Sequence, residues 1–141
     1  MSLVRVYQPA GSGVCGQAAV AMLFNITLEK SFELFGHSRQ TWTHDMIRVL
    51  RAAGWKVPDK RIVISVKNQP TDPSIINIRF FHDPTRKNIR HWAVLWEGEM
   101  YCGLGWDRKI YEGAQKTGIV RFISYLPLTP PEGAWPHTYG T

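Results

Sequence analysis

Cys15 stands where a glycine-bearing loop, Gln8-Pro9-Ala10-Gly11-Ser12-Gly13-Val14, meets the apolar stretch Ala18-Ala19-Val20-Ala21-Met22-Leu23-Phe24. A helix that is apolar on all sides has to be buried, so this stretch is expected to be the central helix, from about Val14 to Asn25. The first turn of a helix offers unpaired backbone N–H groups and the positive end of the macrodipole, and both favour a thiolate. Thiol chemistry at an acyl carbon also needs a base to share the proton, a group to orient that base, and donors for the oxyanion. His91 opens an apolar strand and is the candidate base. Asp107, just past the strand that returns from it, is the candidate orienter, and Gln8 with the Cys15 backbone N–H is the candidate oxyanion hole. Each residue also has a plainer use: Cys15 as a small core residue, His91 as a strand-edge histidine, Asp107 as a turn former in Gly105-Trp106-Asp107-Arg108, and Gln8 as a surface amide.

The elements that must position these groups follow from periodicity. Leu3 to Gln8 alternates and is expected to be extended. Thr27 is a predicted N-cap for a helix from Leu28 to Phe35, with Leu28, Phe32 and Phe35 on one face and Gly36 as its stop. Thr43 is expected to cap a third helix, His44 to Ala53, with Met46, Ile47, Leu50 and Ala53 as its apolar stripe and Gly54 as its stop. Beyond it come β-rich runs at Trp55–Val57, Arg61–Val66, Ile75–Phe81, His91–Trp96, Met100–Leu104 and Gly118–Leu126. Glu97-Gly98-Glu99 predicts a hairpin. Helices followed by an antiparallel sheet predict an α+β fold. A chain of this length is expected to form one domain over residues 1–141, with an irregular proline-rich tail at 127–141 that packs across the surface through Trp135.

Lys and Arg number 17 against 11 Asp and Glu, a net charge of +6. Such a surplus draws acidic partners. Arg86-Lys87-Asn88-Ile89-Arg90 is the densest basic segment and the place where nucleic acid would be met, although no zinc-finger spacing or aromatic RNA-binding signature accompanies it. His37, His44, His82 and His91, with Asp45 and Asp83, lack ligand spacing, so no metal is expected. The absence of a glycine-rich phosphate motif predicts no nucleotide cofactor. Without a signal-peptide pattern or a long apolar run, the chain is expected to be soluble and cytoplasmic, with no membrane contact. Cys15 and Cys102 are then expected to stay reduced, Cys102 as a core residue. Trp42, Trp92 and Trp106 are candidates to line a cleft or to fill the core.

Taken in order, these residues resemble the papain-like cysteine peptidases. They are most similar to the peptidase C39-like family, whose bacteriocin-processing members cut leader peptides after a double glycine. The resemblance rests on Gln8, on Cys15-Gly16 opening an alanine-rich helix, on the helix Met46 to Ala53 ending in Gly54-Trp55, on His91-Trp92-Ala93-Val94-Leu95-Trp96, and on Asp107. It spans residues 3–126. The chain departs from the family pattern in a longer gap from Gln8 to Cys15, in Val14 where an acidic residue is common, and in Arg108 where proline is common. The resemblance implies a papain-like fold, N-terminal helices packed on a C-terminal antiparallel sheet. It also implies a cysteine peptidase or amidase-like hydrolase that acts on a peptide or protein through Cys15, His91, Asp107 and Gln8, by way of a thioester and without a cofactor. The same triad serves acyltransferases and transglutaminase-like enzymes. A third expectation is an inactive scaffold that binds a protein or nucleic acid through Arg86, Lys87 and Arg90.

Overall fold

A computed structural model describes residues 2–81 and 89–132. The architecture is α+β, with four helices and a five-stranded antiparallel sheet among the described residues. Along the chain run α1 (Cys15–Phe24), α2 (Leu28–Phe35), α3 (Thr43–Ala52), β1 (Ile62–Val63), β2 (Ser74–Phe80), β3 (Ile89–Trp96), β4 (Glu99–Tyr101), α4 (Arg108–Lys116) and β5 (Val120–Pro127). The strands lie in the order β1-β5-β2-β3-β4.

Every residue of α1 is buried, as an all-apolar helix requires, and the helix stops where Asn25 turns left-handed at φ 56°. The expected limits of α2 hold. The Thr27 side chain accepts from the Lys30 N–H at 3.1 Å, and Gly36 ends the helix at φ 79°. Its buried face centres on Ser31 and Phe35 rather than on Leu28 and Phe32, because the Ser31 hydroxyl donates to the Gln17 carbonyl at 2.8 Å. Helix α3 starts one residue early: the Asp45 carboxylate accepts from the Trp42 N–H at 3.0 Å, so Trp42 takes the N-cap place expected of Thr43.

The sheet is tighter than expected. Leu3 to Gln8 forms no strand, and its backbone tie to the sheet region is the Gln8 N–H to the Gly103 carbonyl at 2.9 Å. The run at Trp55–Val57 contributes only a bridge from Lys56 to Thr129, and Arg61–Val66 shrinks to β1. The β3–β4 hairpin turns on Glu97 and Gly98, both at positive φ as a two-residue turn demands, and the Asp72 carboxylate accepts from their N–H groups at 2.9 and 2.6 Å. Helix α4 interrupts the expected succession of strands. The tail beyond Pro127 is tied to the domain at its start: Leu128 is buried, and Thr129 exchanges two backbone hydrogen bonds with Lys56 at 3.0 Å. Trp135 and Pro136 lie outside the described residues.

The pleat divides the core into two layers. Ile75, Trp92, Val94, Trp96 and Leu126 pack with α1, α2 and α3 on one face. Ile76, Ile78, Ala93, Val120 and Tyr125 pack on the other, closed by Tyr111 and Ala114 of α4 together with Met100 and Cys102.

Candidate functional site

Cys15 is the first residue of α1, and Val14 offers no side-chain cap, so the backbone N–H groups of the first turn are left for the thiol. Gln17 anchors this end of the helix by donating to the Arg39 carbonyl at 2.6 Å, which holds the loop before α3 against it. Gly16 is required by that approach: a β-carbon there would collide with the Thr41 hydroxyl and reach Met46 Sδ at 3.0 Å. The sulfur meets the backbone of Trp92, the residue after His91. That contact has a topological cause. The β3–β4 ladder ends at the pair Val94–Tyr101, and past its end the Trp92 backbone is not covered by a strand pair from β4. The thiol itself belongs to the core layer packed by α1, α2 and α3.

His91 pairs with Ile78, so its ring lies on the α4 face, edge-on to Phe80 with 5.4 Å between ring centroids. It is the third residue of β3 rather than the first. Its Nε2 is buried without a hydrogen-bond partner. Phe80 in turn contacts Trp106 at 5.2 Å, which carries the aromatic packing to the residue before Asp107. Asp107 is on the same side of the sheet as His91, at the N-cap of α4, where its Oδ1 accepts from the Ile110 N–H at 3.0 Å. The structure thus brings Cys15 to the residue beside His91, and it gives the Asp107 carboxylate a capping bond rather than a bond to Nε2.

Gln8 approaches over Gly103, where a β-carbon would meet its side chain. Its Nε2 donates to the Ser12 carbonyl at 3.0 Å within the glycine loop, and its Oε1 is buried without a partner. Cys102 is fully buried and receives the Tyr111 hydroxyl at 3.1 Å. Both cysteines are free.

Burial governs the electrostatics. It pushes the Cys15 thiol up to about 11, although backbone hydrogen bonds from Trp92, Gly16 and Cys15 itself pull the other way. The low-titrating thiol expected of a helix N-terminus is thus overridden by desolvation. Burial likewise pulls His91 down to about 4. At neutral pH the resting pair is a thiol and a neutral imidazole. Moving the proton from sulfur to ring is therefore uphill in the closed site.

No protein-family model matches the chain, and no curated protein matches it. No helix among the described residues is long and apolar enough to cross a membrane. No cluster of three or more metal-ligating side chains occurs among the described residues, and His82 and Asp83 lie outside them. Of the three candidate tryptophans, Trp92 is buried, Trp106 half-buried and Trp42 64% exposed. Of the basic segment, Arg86 and Lys87 lie outside the described residues, and Arg90 donates to Asn77 Oδ1 at 2.9 Å. Sequence reading missed the polar residues Asn77 and Ser124, both buried within strands β2 and β5. The signal was their position: a polar side chain inside a buried strand calls for a partner.

Proposed function

We propose that the chain is a papain-like cysteine hydrolase acting on amide or related acyl bonds of a peptide or protein. The observation that carries the reading is the Cys15 sulfur at the first turn of a buried helix, against the backbone of the residue that follows His91. In the reaction, the thiol proton passes to His91 as sulfur attacks the acyl carbon. The oxyanion accepts from the backbone N–H groups of the first turn of α1, with the Gln8 amide beside them. His91 then protonates the leaving amine, and water hydrolyses the thioester. Asp107 orients the imidazole through the carboxylate oxygen that does not cap α4. Because the resting pair is neutral, substrate binding has to supply the polar surroundings that lower the cost of ionising it.

Alkylation tests the reading. With a limiting peptidyl chloromethyl ketone, whose peptide part supplies the substrate contacts that the neutral pair needs, and mass mapping, Cys15 is expected to label ahead of Cys102, and His91→Ala is expected to remove that preference. Equal labelling of both thiols, or a preference untouched by His91→Ala, overturns it. The neutral resting pair favours a second reading, an inactive scaffold of the same architecture that binds a partner. Under that reading Cys15→Ala leaves the biological effect intact, whereas under the hydrolase reading it abolishes it.

A further inference from the structure

Arginines gather on the sheet face that carries Trp92. Strand pairing aligns Arg121 with Arg79, and Arg79 with Arg90, so three arginines stand side by side across β5, β2 and β3. Directly opposed like charges destabilise a sheet unless something neutralises them. None of β1, β2, β3 and β5 contains an acidic residue. The next row on the same face is Ser124–Asn77–Trp92. There Arg61 and Arg90 both donate to one neutral acceptor, Asn77 Oδ1, at 3.0 and 2.9 Å. Two guanidiniums converging on an amide oxygen is an arrangement short of one negative charge. The Arg61 guanidinium is held below its ordinary value, first by burial and then by the charge of Arg90.

An open pocket of about 530 Å³ lies beside these groups, lined by Arg61, Arg90, Ser124, Lys60, His44 and Asp59. Ser124 is only 2% exposed, and its Oγ has no partner. Arg79 Nε is also buried without one. The acid in the lining, Asp59, is already paired with Arg51 at 2.8 Å. The lining is linked toward the candidate nucleophile through Asn77, which Arg61 and Arg90 both contact. Asn77 is paired with Trp92, whose backbone touches the Cys15 sulfur, and adjacent strands are about 5 Å apart. On the other side Thr43 and His44 line it, next to the Thr41 that packs on Gly16.

We infer that this face binds an acidic segment of the polypeptide substrate, with a carboxylate seated between Arg61 and Arg90 and further carboxylates along the arginine row. The spacing of one to three strands from Trp92 corresponds to roughly two to four residues of extended chain from the scissile bond. This rests on the hydrolase reading for the word substrate, but its binding claim stands apart from turnover.

The experiment uses the full chain carrying Cys15→Ala and measures fluorescence anisotropy with a labelled tetraglutamate-containing peptide, its tetraglutamine counterpart, and a single-stranded oligonucleotide of equal charge. The glutamate peptide is expected to bind at least tenfold tighter than the glutamine one and tighter than the oligonucleotide. Arg90→Gln with Arg121→Gln, both exposed positions, is expected to weaken it at least tenfold. Asn77→Asp places a carboxylate where the site lacks one, so it is expected to weaken peptide binding while raising Tm, a pair of changes that misfolding does not produce. Equal affinity for the two peptides, preference for the oligonucleotide, or unchanged binding in Asn77→Asp overturns the inference. Acidic-peptide binding in a protein whose Cys15 fails the alkylation test removes the hydrolase reading and leaves the binding face.

Discussion

Two neighbouring regions of one sheet treat charge in opposite ways. Around Trp92 the ionisable groups are enclosed: Cys15 is 6% exposed and His91 5%, and burial holds both neutral at pH 7. Around Arg79, Arg90 and Arg121 the charges stay, two of the three side chains reaching solvent, and the acids that would neutralise them are missing from the strands. Desolvation and like-charge repulsion thus fall on neighbouring rows of the same strands. A polar acyl substrate carrying carboxylates would relieve the repulsion at one end while bringing dipoles to the dry thiol at the other. The two regions answer to different perturbations, pH and water access for the first, counter-charge for the second.

The largest expected effects on stability come from pH at the dry end. His91 binds its proton at about 4 in the folded state against an ordinary 6.5. The unfolded chain therefore takes up a proton in that window that the folded chain does not. Stability is complete above pH 6.5 and falls as pH drops to about 4, by about 3 kcal/mol. His91→Gln is expected to flatten this acid limb in urea unfolding midpoints measured from pH 4 to 8. The Cys15 thiol is raised from 9.0 to about 11, so its contribution is complete below pH 9 and lost as pH rises toward 11, again by about 3 kcal/mol. Cys15→Ala is expected to flatten that alkaline limb and leave the acid one unchanged. Persistence of both limbs in both variants would place the titration elsewhere.

Two glycines sharpen the contrast between the packed face and the open one. Gly16→Ala forces a methyl group into Thr41 and Met46 beside Cys15, and overpacking of this kind costs about 1–3 kcal/mol. Gly113 lies in α4, and a methyl group added there would have nothing within 4 Å of it, so Gly113→Ala is expected to stabilise by about 0.5–1 kcal/mol through helix propensity. Thermal melts of the two variants should move in opposite directions.

Sequence signals are readable from the residues where they are local in the fold. The limits of α2 follow from Thr27 and Gly36, and the burial of α1 from its lack of a polar side. Helix α4 is not readable in the same way, because only Tyr111 and Ala114 of it are buried and its remaining surface is charged and solvated. The order Cys15, His91, Asp107 is a property of the chain, but which face each residue takes is a property of register. A one-residue slip in β3 would turn His91 toward α1 and Arg90 away from Asn77. The arginine row depends further on the β5 irregularity beside Asn77 and Ile78, which brings Arg121 level with Arg79. No spacing along one strand announces a row assembled from three.

Asp107 is where the smallest stability effect decides the most. Its Oδ1 caps α4, and asparagine caps a helix as well as aspartate does. Asp107→Asn is therefore expected to leave stability within a few tenths of a kcal/mol, while Asp107→Ala costs about 1 kcal/mol by losing the cap. Orientation of His91 would need a second acceptor oxygen, and in asparagine the one amide oxygen is taken by the cap, leaving an NH2 that cannot accept from the ring. Under the proposed hydrolase reading, Asp107→Asn is expected to lower kcat/KM at least tenfold with an unchanged melting curve. An asparagine variant as active as the parent assigns Asp107 to the helix alone and removes it from the proposed triad.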